Sequence, residues 1–222
     1  MEDETIPAAP AESPDERRAV TLRRVVAILG AALAFGLLAA LIKGHGAGVR
    51  DTVGNLSTPW LLVAFAAGLH ARSLPRGAVI GLAATALALL GFYLAVAVTT
   101  DDQLPTLGEH LEHVLRVNRR WLFSGLLSGP VLGAFGAWVR RRARDLTAAT
   151  AGVVGLLLVT EPVVIVAARL VPGWRQVIHW TLEPGPYLAE VVLGILVLLM
   201  AHRHRVRRRD RSPARQQQMV DE

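Results

Sequence analysis

Six stretches of this chain are dominated by apolar residues: Val25 to Ile42, Pro59 to Ala71, Gly77 to Val98, Trp121 to Val139, Ala148 to Val171 and Tyr187 to Ala201. A hydrocarbon layer about 30 Å thick needs about 20 such residues as helix, each adding about 1.5 Å, because no backbone polar group can stay unpaired in lipid. The pattern predicts an all-α, polytopic transmembrane bundle of about six helices, with spans near 25–42, 55–71, 77–98, 121–139, 148–171 and 186–202. The second and sixth runs are short, so each must borrow flanking residues, tilt little or sit in thinned membrane. A hydrophobic share of 52% would be nearly ordinary for a soluble domain. Here it is the segregation of apolar runs from charge that decides the class.

Basic side chains are retained on the cytoplasmic side of short loops. If the amino terminus is inside, the inner segments hold 17 arginines and the outer ones 7 basic residues, Lys43 among them. That alternation predicts both termini in the cytoplasm and a multi-pass protein of a bacterial plasma membrane. Lys43 is the only lysine among 24 basic residues, a bias expected of a GC-rich bacterial genome. The net charge of +6 lies just beyond the helix ends, where anionic lipid headgroups are the nearest counterions, so lipid and not nucleic acid is the expected partner. Trp60, Trp121, Trp174, Trp180 and Tyr187 fall at the outer interface on this reading and Trp138 at the inner one.

Outside the 25–202 bundle, residues 1–24 form a cytoplasmic tail, disordered where acids and Pro7, Pro10 and Pro14 leave no apolar period, and 203–222 a basic tail. The arginine pairs before the first apolar run favour a retained anchor over a cleaved signal, since no clear small-residue cleavage site follows. Cysteine is absent, which removes disulfides and thiolate chemistry. Glycines at 44, 46, 48 and 54 predict a flexible outer loop.

Between the third and fourth runs, Pro105 stands near a helix start, and Leu107, Leu111, Val114 and Leu115 recur at helical spacing. An amphipathic helix on the outer interface is expected. Glu109, His110 and His113 on its other face are weak metal candidates without a third strong ligand nearby; a solvated face with a Glu109–His113 ion pair accounts for the same residues. No metal or other cofactor is therefore expected.

Small residues at four-residue spacing recur inside the spans: Gly125, Gly129 and Gly133 in the fourth, Ala32, Gly36 and Ala40 in the first. Such ridges let helix backbones approach and gain dispersion contacts in lipid. They serve packing within the bundle or docking of a membrane-protein partner. Pro130 removes a donor from the fourth span and should bend it.

Glu161 lies near the middle of the fifth span, where an acid costs about 2.5–3.5 kcal/mol. It must be protonated, paired or wet. Pro162 follows at once and frees a carbonyl one turn back. Thr160, Tyr93, Thr85, Ser124, Ser128 and His70 are the available polar neighbours. A substrate or ion site of Glu161, Pro162, Thr160, Tyr93 and Ser128 is one reading; a protonated structural hydrogen bond is the other. Arg169 and Glu190 fall at similar depth on adjacent spans and are expected to form a structural ion pair.

The segments STPWLLVAFAAG, GFYL, TEP and EVVLGILVLL resemble a family of small six-helix bacterial membrane proteins, a domain of unknown function. That resemblance implies a six-span bundle and no activity. Size and span count are also similar to the substrate-capturing subunits of energy-coupling vitamin transporters, which implies that Ala32, Gly36 and Ala40 dock on a partner. No nucleophile elbow, metal-binding helix or phosphate loop is present and no catalytic residue is expected. The expected function is small-solute or ion binding or transport centred on Glu161; the alternative is a non-catalytic scaffold or accessory subunit of a membrane complex.

Overall fold

The computed structural model describes residues 14–43, 48–99, 106–171 and 183–218. Trp174, Trp180, Pro105, Gly44, Gly46 and the proline-containing tail before Pro14 lie outside them. The described chain is helical without strands: α1 Pro14–Lys43, α2 Val49–Gly54, α3 Thr58–Gly68, α4 Leu74–Thr99, α5 Leu107–Val117, α6 Arg119–Arg142, α7 Leu146–Leu170 and α8 Pro184–Gln218. Helix begins at Pro14, so the expected disorder of residues 1–24 does not reach the end of that range. The basic tail from 203 likewise continues α8 as helix through Gln218.

Five helices are long and apolar enough to cross a membrane: Leu22–Lys43, α4, α6, α7 and Pro184–Val206. The run expected as the second span is not among them. Before it, the glycine-rich segment expected as a flexible loop holds the short helix α2, which Asn55 closes with its backbone N–H on the carbonyls of Asp51 and Thr52 and its side-chain Nδ2 on Asp51 O at 2.7 Å. After Leu56 and Ser57 a new helix starts, with Pro59 in its first turn where a missing N–H costs nothing. The resulting α3 is about 16 Å long, half a hydrocarbon layer.

Registers between neighbours fix the directions. Ala32 clusters with Ala84 and Ala88, Gly36 meets the backbone of Ala88 and Phe92, and Lys43 stands 5.9 Å over the Phe92 ring. The positions advance together, so α1 and α4 are parallel, and the intervening segment carries the chain back. Along α6, Gly133 meets Gly77 and Gly81, Gly129 meets Thr85 and Gly125 meets Leu89, making α4 and α6 antiparallel. Gly155 abuts Gly194 and Leu198, and Arg205 donates to Ala148 O at 3.3 Å, which makes α7 and α8 an antiparallel hairpin.

The glycine ridge of α6 forms the centre of the larger group, α1 to α6. Gly68 of α3 and Gly77 and Gly81 of α4 all close on Gly133, where an added Cβ would lie 2.0–2.7 Å from backbone atoms. The ridge Ala32, Gly36 and Ala40 is also spent inside the chain: Ala32 and Ala40 are buried, and Gly36 rests on α4 with Ala88 O 1.8 Å from where its Cβ would be. It is therefore covered by α4 and not open to a partner subunit.

The amphipathic segment is α5. Thr106 caps it, its Oγ1 accepting the Glu109 N–H at 3.3 Å, and Val114 packs on Leu89 and Tyr93 of α4. The ion pair on its polar face joins Glu112 to Arg116 instead of Glu109 to His113, one helical turn apart in either case. Among the described residues no three His, Asp or Glu side chains gather as a metal site, those at Glu109, His110 and His113 included. At the arginine-rich end, Arg140 donates to Leu69 O at 2.8 Å, and His204 Nδ1 lies 3.1 Å from Asp145 Oδ2. Asp145 also caps α7 through the Ala148 N–H at 3.0 Å.

Candidate functional site at a broken helix

A helix starting inside a hydrocarbon layer presents backbone N–H groups with no intrahelical acceptor and a partial positive charge. At the start of α3 the Ser57 side chain makes no capping bond. The acceptor comes instead from 104 residues away: the Ser57 N–H donates to Glu161 Oε1 at 2.6 Å and the Thr58 N–H to Glu161 Oε2 at 2.5 Å. Thr58 Oγ1 adds a bond to Leu157 O at 3.3 Å. One carboxylate thus satisfies two orphan donors and joins the α7–α8 hairpin to the rest of the bundle. Glu161 is 15 residues into α7, about 22 Å along its axis, well inside the layer.

The expected neighbours of Glu161 are not the ones it meets. Thr160 points away on an exposed face of α7. His70, at the far end of α3, has its Nδ1 3.0 Å from Ala66 O in its own helix. Pro162 is buried beside Glu161, and its missing N–H leaves the Leu158 carbonyl without the usual helical donor. The antiparallel register sets Glu190 of α8 opposite Glu161, close enough for the two carboxyl groups to interact electrostatically. Glu190 is only 6% exposed, and neither of its carboxyl oxygens has a hydrogen-bond partner among the described residues. The expected clasp between Arg169 and Glu190 is therefore not formed. Arg169 lies on the exposed side of α7, eight residues and about 12 Å beyond Glu161.

Tyr93 and Ser128, also named with Glu161 from sequence, lie on the other side of the break. They line a cavity of about 180 Å³ between α3, α4 and α6, together with Lys43, Asn55, Ser57, Trp60, Thr85, Asn118 and Ser124. Phe35, Trp60, Phe92 and Tyr93 form a chain of edge-to-face rings beside it, with centroids 5.1–5.4 Å apart. Thr85, 3% exposed, places a hydroxyl here with no hydrogen-bond partner among the described residues. Lys43 stands at the rim, 3.3 Å from Asn55 Oδ1 and 4.0 Å from Asp51 Oδ1. Ser57 belongs to both places: its N–H is held by Glu161, and the residue lines the cavity.

Sequence reasoning did not select Lys43, Asn55, Ser57 or Asn118 for this site. A signal was present in Asn55-Leu56-Ser57-Thr58-Pro59, a strong helix-start pattern. Reading the glycine-rich residues before Pro59 as a flexible loop concealed it.

A model of the family of unknown function DUF6518 matches residues 15–212. The chain belongs to that family. The matched range runs from the second residue of α1 to the last turns of α8, so the DUF6518 region includes the broken helix, Glu161, Glu190 and the cavity. No curated protein and no solved structure matches the chain. The likeness to vitamin-transporter subunits has no support here, and the ridge on which it rested is occupied by α4. With its five long apolar helices, this DUF6518 protein is a multi-pass α-helical membrane protein of unknown function.

Proposed function

We propose that the protein binds a small solute in the cavity beside the α2–α3 break and conducts it across the plasma membrane of a bacterium, with no catalytic step. The observation that carries this reading is the cavity itself, walled by aromatic rings and hydroxyls and ending on the exposed backbone at Ser57. Discontinuous helices are tolerated at membrane depth where they are buried in protein or line a cavity, and midplane solute sites use them. Tyr93, Ser128 and Thr85 would contact the solute, while Glu161 acts from behind the break by fixing where α3 begins. An even number of crossings, with the broken segment as one of them, would put both termini in the cytoplasm, consistent with the arginine distribution.

A solute panel screened by thermal shift on the purified protein tests this. Compounds that raise the unfolding temperature of the wild type are expected to lose that effect in Ser128→Phe, which fills the cavity. They should also be accumulated by proteoliposomes carrying the wild type but not the variant. No stabilising compound, or stabilisation undiminished in Ser128→Phe, would sink the proposal.

The length of α8 favours a second reading. Its apolar segment ends at Val206 but helix continues to Gln218, through a sequence with arginines at 207, 208, 209, 211 and 215. Such an extension suits anionic headgroups or an acidic partner of an accessory subunit. Deleting residues 207–222 should then abolish recovery of a reproducible crosslinked partner while leaving solute-dependent stabilisation intact.

A further inference from the structure

We infer that Glu161 and Glu190 form a site for a single proton, held on Glu190, in the core of the α7–α8 hairpin. The register places the two carboxyl groups opposite one another: Gly155 meets Gly194, and Ala148 meets Arg205, so residue 161 falls level with residue 190. The two environments are unlike. Glu161 accepts two backbone N–H bonds at the positive end of α3, an arrangement that favours the anion. Glu190 has both oxygens buried, no donor to either among the described residues, and by the register Glu161 as its neighbour. Two adjacent carboxylates within the span of a membrane cannot both ionise without a large electrostatic cost, and the one lacking donors takes the proton. The Leu158 side chain packs beside Gly194, about one turn along the hairpin from the level of Glu161 and Glu190.

Among the described residues, the surroundings leave this assignment to the pair. From α3 no titratable side chain approaches, since Thr58–Gly68 contains none. On α2, the guanidinium of Arg50 bonds the carbonyls of Leu41 and Ile42, and Asp51 is engaged by Asn55 and Lys43. On α7, Arg169 stands about 12 Å from Glu161 along the axis; Glu183 precedes α8, and Tyr187 lies one turn before Glu190. A proton suits the donor set better than a metal ion, because both Glu161 oxygens are already occupied by N–H groups.

Infrared spectroscopy of the full-length protein in nanodiscs at neutral pH, with and without carboxyl-¹³C glutamate, tests the site without any solute, so its outcome is separable from that of the cavity reading. The wild type is expected to show an isotope-shifted protonated-carboxyl band, retained in Glu161→Gln and lost in Glu190→Gln. Gln is close in shape to the protonated acid, so Glu190→Gln should fold, and it decides the matter with the wild type alone if Glu161→Gln does not. Absence of the band in the wild type, or its survival in Glu190→Gln, would overturn the inference.

Discussion

Replacing Glu161 with leucine is expected to destabilise the protein by about 2–6 kcal/mol, because two backbone N–H groups are left inside the membrane with no acceptor, each costing about 1–3 kcal/mol. Glutamine keeps one carbonyl oxygen and loses the charge, so Glu161→Gln should fall between leucine and the wild type. Reversible unfolding in mixed micelles measures the order, and amide hydrogen exchange at Ser57 and Thr58 localises it: both amides are bonded to the carboxylate in the wild type. Equal stability of Glu161→Leu and wild type would mean that the carboxylate does not cap α3 in the membrane.

The second large effect is expected at Gly133. A side chain there meets Gly77 O at 2.2 Å and Gly81 Cα at 2.8 Å, both backbone, so no rotamer change relieves the clash and the helices must part. Overpacking of a close interface costs about 1–3 kcal/mol and occasionally more. Gly133→Val should lie at or above the top of that range and disturb α3 as well, since Gly68 closes on the same point. Gly30→Ala is the matched control: no atom lies within 4 Å of its added Cβ, and alanine favours helix by about 0.8–1 kcal/mol over glycine. The pair, compared by the same unfolding assay, should move in opposite directions. A Gly133→Val protein as stable as wild type would show that the glycine crossing is not a close backbone contact.

Much of this architecture was legible in residue order. The long apolar runs give the five spanning helices, and the α6 ridge packs as its spacing implies, because both are local properties of a helix in lipid. The amphipathic period from Leu107 also produced a helix, with Thr106 as its cap. The break at Asn55–Ser57 was legible only in part: Asn55–Pro59 carries a helix-start pattern, but the glycine-rich residues before it gave no sign of the helix α2. The partner of Glu161 was missed for a different reason. Every polar side chain near its depth was considered, but the donors are main-chain amides, which every residue has and which become available only where a helix happens to begin. Arg169 and Glu190 had been placed at one depth, but the antiparallel register sets Glu190 level with Glu161 and leaves Arg169 about 12 Å further along α7.

The dependence of α3 on Glu161 has a consequence for biogenesis. When Ser57 leaves the ribosome, the residue that will accept its amide hydrogen is still more than a hundred codons away. Until the last hairpin has been threaded into the bilayer, that short segment has no stable resting place at depth, and it should remain near water or the insertion machinery. Completion of the C-terminal hairpin is then the event that draws an earlier segment into position, so truncated chains ending before residue 161 should expose Asn55–Pro59 to proteases that the finished molecule excludes.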